Sequence, residues 1–137
     1  SIVLKSADGS VKDSRAIKNL VVNDGLNFIV SRMKDTTQGA MSHMAVGSST
    51  TAAAAGQTDL VSILGSREAL DSTAVSTNTV TFISSFEPGD GTGAVTEAGI
   101  FNASTSGDML CRTVFAVVNK QATDSMTITW TITLTAS

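Results

Sequence analysis

The stretch Met126-Thr-Ile-Thr-Trp-Thr-Ile-Thr-Leu-Thr135 decides the fold. Apolar Met126, Ile128, Trp130, Ile132 and Leu134 alternate without a break with Thr127, Thr129, Thr131, Thr133 and Thr135. Successive side chains of an extended chain point to opposite faces, so one face is an apolar row and the other a threonine row. β-branched Thr and Ile and the single Trp suit a pleated surface. A strand this regular needs a sheet and a core. Trp130 is expected to close that core, and the row containing Thr129 and Thr131 to face solvent or a neighbouring subunit.

Working back from this strand, residues 109–118 are apolar on both faces, the pattern of a strand covered on both sides. In residues 78–87, Val80, Phe82 and Phe86 share a face with Ser84, while Thr79, Thr81 and Ser85 share the other with Ile83. Pro88-Gly-Asp-Gly-Thr-Gly93 is the strongest turn signal in the chain. Residues 94–103 resume as a strand. This order predicts a hairpin across the turn and a C-terminal meander whose outer member is the last strand.

The N-terminal part is less regular. Residues 2–4 read as a short strand, 7–10 as a turn, and 15–22 as a second strand or a lead-in. Leu26, Ile29, Val30 and Met33 fall on one helical face, which predicts a helix near residues 24–34 with that stripe packed on a sheet. Asn23 or Asp24 suits its N-cap, and Arg32 and Lys34 suit its last turn. Residues 34–40 read as loop, 41–46 as a strand and 47–56 as an irregular loop. Residues 58–70 fit a short helix or a strand, with Arg67 and Glu68 exposed. The fold class is mainly β: an antiparallel β-sandwich, with a jelly roll among the arrangements open, one short α-helix, and a single domain over 1–137.

At 137 residues the chain can bury roughly two-thirds of its unfolded surface. Only 15% of its residues are charged. An average globular domain has roughly 25%. A low-charge surface rich in Ser, Thr and Ala suits a protein packed against others. The net charge of −3 and scattered basic residues give no nucleic-acid footprint. The single cysteine, Cys111, has no internal disulfide partner and reads as a small buried hydrophobe. No stretch reaches the ~20 apolar residues of a membrane helix. Tyr is absent, so the aromatic girdles of an outer-membrane barrel cannot be built. Ser1 reads as the residue left after removal of an initiator Met, and no signal peptide is expected.

Catalytic chemistry finds little footing. A triad needs a histidine between nucleophile and carboxylate. The only histidine, His43, adjoins Ser42, and strand neighbours are expected to point apart. One His and one distant Cys cannot make a zinc site. Glu87, Asp90 and Glu97 flank the glycine loop and are candidates for a Ca²⁺, though without EF-hand spacing. A solvated loop with a structural glutamate is the plainer reading. Gly89-Asp-Gly-Thr-Gly93 lacks the lysine and spacing of phosphate loops. The threonine row resembles a water-ordering array, but only one strand carries it in this reading. Asn102-Ala-Ser104 is a glycosylation sequon without a secretory signal. No cofactor is expected.

From Met44 onward the chain resembles small tailed-bacteriophage virion proteins. Met44-Ala-Val-Gly-Ser-Ser-Thr-Thr, Ala55-Gly-Gln-Thr-Asp-Leu60 and Arg67-Glu-Ala-Leu70 resemble their "A-(I/V/F)-G-x-G … L … E/R" opening. Phe86-Glu-Pro-Gly-Asp-Gly-Thr-Gly-Ala-Val-Thr-Glu-Ala-Gly-Ile-Phe-Asn102 resembles their "G … I-x-E-x-G-(L/I)-F" signature. Residues 109–115 and the Thr-Ile-Thr-Trp-Thr-Ile ending complete the pattern, which covers roughly residues 41–137. A similar E-x-G-(L/I)-F block occurs in the N-terminal attachment region of tail-collar fibres. The resemblance implies a non-enzymatic virion protein. Its expected role is capsid decoration, or else adaptor work in a tail fibre, neck or baseplate. It implies the major capsid protein or tail and baseplate proteins as partners, and a homo-oligomer such as a trimer. Neither nucleic acid nor membrane is an expected partner. It also implies that Glu97 fixes a hairpin or loop through backbone N–H groups, that Gly99 permits close backbone approach, and that Phe101 belongs to the same structural block. A cell-surface adhesin or pilin-like subunit is the further alternative, disfavoured by the expected lack of a signal peptide.

Overall fold

The computed structural model describes residues 1–34 and 38–136. The first of two sheets contains β1 (Ile2–Lys5), β2 (Val11–Arg15), β6 (Ser72–Ser76), β7 (Thr79–Phe86) and β10 (Ser125–Thr133), in the order β2-β1-β10-β7-β6. The second contains β3 (Leu20–Val21), β4 (His43–Gly47), β5 (Glu68–Ala69), β8 (Gly93–Phe101) and β9 (Met109–Lys120), in the order β3-β9-β8-β4-β5. All pairings are antiparallel. Four of them are nested: β1 with β10, β3 with β9, β4 with β8, and β6 with β7. A long hairpin rolled over a core has this pattern, and the expected antiparallel sandwich is formed.

The last strand is central, not outer. β10 lies between β1 and β7, with Ile128 opposite Ile2 and Ser84, and Trp130 opposite Phe82. The expected hairpin across residues 88–93 is not formed either. That glycine-rich turn carries the chain from the first sheet to the second, and the hairpin is β8–β9. Gly89, Gly91 and Gly93 have φ of 94, 59 and 137 degrees. Side chains other than hydrogen resist these conformations. The alternation of side chains fixes which face a residue takes, and says nothing about which strand lies alongside.

The faces themselves follow the alternation. Met126, Ile128 and Trp130 are buried between the sheets with Phe82 and Phe86, against Val46, Val95 and Ile100 from the second sheet. Cys111 is buried in the same core. Burial pushes its thiol up to about 12. The nearby Trp130 indole acts the other way, although its buried Nε1–H makes no hydrogen bond of ordinary geometry among the described residues.

Helix α1 (Asn23–Met33) caps one end of the sandwich. Its N-cap is Val22, without a side-chain cap, so neither Asn23 nor Asp24 has the expected role. Asp24 lies in the first turn, where its charge favours the helix dipole. Its Oδ2 accepts the backbone N–H of Met109 at 2.8 Å. The buried face is shifted one position from the expected stripe. Gly25 and Phe28 are buried and Ile29 packs on the core, while Leu26, Val30 and Met33 are 51%, 66% and 82% exposed. Gly25 sets this choice, because its Cα meets the backbone of Leu110 where no Cβ fits. The loop expected over 34–40 lies partly outside the described residues.

Candidate functional site

The signature residues Glu97, Gly99 and Phe101 alternate along β8 with the core residues Ala98 and Ile100, so they share the outer face of the second sheet. That face is not open. Val22, Ala45, Phe101 and Met109 form a second apolar cluster there, with Leu60 packed on it. The segment 48–66 lies across it. This segment is almost free of regular structure, and side chains from the sheet hold it in place.

Glu97 is the centre of the clamp. Its carboxylate accepts the backbone N–H groups of Ser62 (2.8 Å) and Val61 (3.1 Å), with a longer one from Ser49 (3.4 Å). Arg112 of β9 donates to Glu97 Oε2 through Nε at 3.0 Å and Nη2 at 2.8 Å. The side chains of both residues are fully buried. The remaining guanidinium nitrogen of Arg112 donates to the Thr51 carbonyl (2.9 Å) and to Gln57 Oε1 (3.0 Å). A buried ion pair holds only when its leftover donors and acceptors are also satisfied, and segment 48–66 supplies them. A register shift between Val95 and Glu97 in the β8–β9 ladder lets both Thr96 and Glu97 reach the segment. Thr96 Oγ1 donates to the Ser49 carbonyl at 2.8 Å.

A second tie closes the far end. Arg67, expected on the surface, has a side chain only 6% exposed. Its guanidinium lies 3.6 Å from the centroid of the Phe101 ring, close enough for a cation–π contact. It also donates to the carbonyls of Ala103 (2.9 Å) and Ser106 (2.7 Å) in the β8–β9 turn. Gly99 accommodates side chains more than backbone: a Cβ there would sit 3.0 Å from Leu60 Cδ2 and 3.1 Å from Phe101 Cε2. The tight backbone approach is at Gly47, where a Cβ would collide with the Glu97 carboxylate and the Ser62 carbonyl. Arg112, Gln57 and Gly47 were not singled out from sequence, and Arg67 was expected only as an exposed residue. Arg112 carried a signal, as the lone charge within residues 109–118, a stretch apolar on both faces.

The outer face of the first sheet is the opposite kind of surface. Thr127, Thr129, Thr131 and Thr133 lie opposite Ser85, Ile83, Thr81 and Thr79 on β7. Ser72, Ala74 and Ser76 of β6 continue the rows beside Ile83, Thr81 and Thr79. The hydroxyl array therefore spans three strands, not one, and none of these positions carries a charge. Thr131 and Thr133 are exposed and Thr129 half-buried.

Ser42 and His43 do meet, Oγ to Nδ1 at 2.8 Å, because Ser42 precedes β4 and escapes strand alternation. No carboxylate hydrogen-bonds the ring among the described residues. Glu87, Asp90 and Glu97 do not gather, and no cluster of three metal-ligating side chains occurs among the described residues. Lys120 instead brings positive charge to Glu87 and Asp90: its buried Nζ donates to the Glu87 carbonyl at 3.0 Å. Burial lowers the Lys120 ammonium below its usual range, against the pull of Asp90, Asp124 and Glu87. The Asn102 side chain is tied to Asp108 and Gly39. An apolar groove of about 490 Å³ lies between α1 and the end of the first sheet, lined by Phe28, Ile29, Met41, Val75, Phe82 and Leu134 among others. No protein-family model, curated protein or solved structure matches the chain.

Proposed function

We propose that this chain is a non-enzymatic structural protein of a tailed-bacteriophage virion, a capsid decoration protein that binds and stabilises the head. The observation that carries the reading is the hydroxyl-rich face of the first sheet, from Thr127–Thr133 across Thr79–Ser85 to Ser72–Ser76, whose strand positions carry no charge and where Asp71 at the rim accepts from the Ser85 hydroxyl. Covering small neutral hydroxyls removes little favourable hydration compared with covering charges. Such a face suits a permanent seat on the major capsid protein. The residues that carry the resemblance support the same reading: Glu97, Gly99 and Phe101 act on scaffold, not on an open pocket. The workplace is the virion, assembled in the bacterial cytoplasm, in a symmetric array.

The E-x-G-(L/I)-F block, shared with tail-collar attachment regions, favours a second reading as a tail-fibre, neck or baseplate adaptor. Mass spectrometry of separated heads and tails decides between them. A decoration protein occurs in hundreds of copies on heads, and its gel band rivals the major capsid protein. An adaptor occurs in a few copies on tails. Purified protein that binds neither heads nor tails removes both readings.

A further inference from the structure

The four sheet edges are not equivalent. β3 and β5 are two residues long, too short to template another strand. β2 carries Lys12, Asp13 and Arg15, charges of the kind that blunt edges. β6 is different. It reads Ser72-Thr-Ala-Val-Ser76, with no charge, no proline and every residue exposed. Among the described residues it is paired on one side only, to β7. Its outward backbone N–H and C=O groups therefore lack a ladder partner, and nothing in its side chains repels one.

We infer that the β6 edge pairs antiparallel with β6 of a second copy of this chain, on a two-fold axis at Ala74. The strand is self-complementary in this register. Ser72 lies opposite Ser76 of the second copy, Thr73 opposite Val75, and Ala74 opposite itself. No like charges are brought together, whereas a two-fold pairing of β2 about its central residue sets the Asp13 carboxylate opposite its own copy. The hydroxyl face then runs unbroken across both copies. Thr73 and Val75 lie opposite Phe82 and Val80 on β7, so they face the groove side of the sheet. The pairing joins the two grooves beneath one continued sheet and covers Val75, which is 76% exposed in a single chain. A five-residue ladder alone is smaller than a standard interface. The groove mouths with Val75 and Leu134 supply the remaining contact. This dimer rests on β6 itself and stands apart from the virion reading.

The test is sedimentation equilibrium over a concentration series, on wild type and two charge variants at the axis. Wild type is expected to approach twice its 14.0 kDa chain mass. Ala74→Lys alone and Ala74→Glu alone each put like charges opposite one another, and each is expected to stay at one chain mass while keeping the wild-type circular dichroism spectrum. An equimolar mixture of the two is expected to return to twice that mass. Val11→Lys, on the opposite edge, is expected to associate like wild type. The inference is overturned by a monomeric wild type at the highest concentration. It is equally overturned by charge variants that still associate, by a mixture that stays monomeric, or by an association that Val30→Lys on the helix abolishes and Ala74→Lys does not. Binding to heads or tails is read separately and does not enter this outcome.

Discussion

At the scale of single residues, the chain spends its few charges in unusual places. Glu97 and Arg112 are both fully buried and use up each other's hydrogen-bonding capacity together with segment 48–66. Replacing Glu97 by Ala leaves a buried guanidinium and orphans the N–H groups of Val61 and Ser62. The expected loss is about 3–5 kcal/mol in urea denaturation, and Arg112→Ala should cost a similar amount. A double variant Glu97→Leu/Arg112→Met should cost less than the sum, since neither charge is then stranded. Trp130 is the largest side chain of the central strand, at a site 4% exposed. Trp130→Ala is expected to cost about 3–5 kcal/mol in the same assay. Asp8 gives a pH signature. Its carboxyl is held down at about 2, from an ordinary 3.8, by the Ser10 and Ser6 hydroxyls and the Ser10 N–H. The folded state thus favours the carboxylate. Its stabilising contribution is complete above the ordinary value and is lost as pH falls toward about 2. Asp8→Asn should flatten the acid limb of the stability curve in that window, as read by chemical denaturation at stepped pH. Little of this was legible in advance. A lone glutamate in a strand advertises a need for donors, but its partner was fifteen positions away on β9.

At the scale of elements, the sequence reports faces well and neighbours badly. The apolar row of β10 and the mixed face of β7 came through because a two-residue period is local. The placement of β10 between β1 and β7 did not, because pairing depends on distant segments and on where a turn sends the chain. Residues 88–93 look like a hairpin tip by composition and act as a bridge between sheets. The helix was legible in position, and its buried face was misread because one contact, Gly25 on Leu110, outweighs the apolar stripe. Residues 47–56 were legible as irregular, whereas 58–70 read as a short helix or a strand and are mostly irregular too, since what orders them is supplied by the sheet beneath. Gly47→Ala forces the Glu97 carboxylate and the Ser62 carbonyl apart. It is expected to cost about 1–3 kcal/mol and to expose residues 48–66 to limited proteolysis well before global unfolding. Cleavage no faster than in wild type would show that residues 48–66 are not held by the contact at Gly47.

At the scale of the whole molecule, the two sheets divide the labour. The second is sealed on both faces, by the core and by the clamped segment. The first is sealed on one and leaves the other as a hydroxyl-rich plane whose charges, Lys5 and Asp71, lie at its borders. Thr131→Lys places a charge at an exposed point of that plane. It should leave the melting temperature nearly unchanged and abolish co-sedimentation with phage heads; retained binding at wild-type level would move the partner surface elsewhere. The pairing of β1 with β10 has a further consequence, and it concerns time. Ile2 lies beside Ile128, and the Thr129 N–H donates to the Ser1 carbonyl at 2.9 Å, so the middle of the first sheet joins segments from far apart along the chain. Such a ladder demands a large loop closure before it returns any stabilisation. Refolding should therefore be slow for this length, on the order of milliseconds to seconds. On the ribosome β1 has only its neighbour β2 to pair with until β10 emerges. A chain released before β10 emerges has no centre to its first sheet, and the wait itself exposes strands that a crowded cell can aggregate.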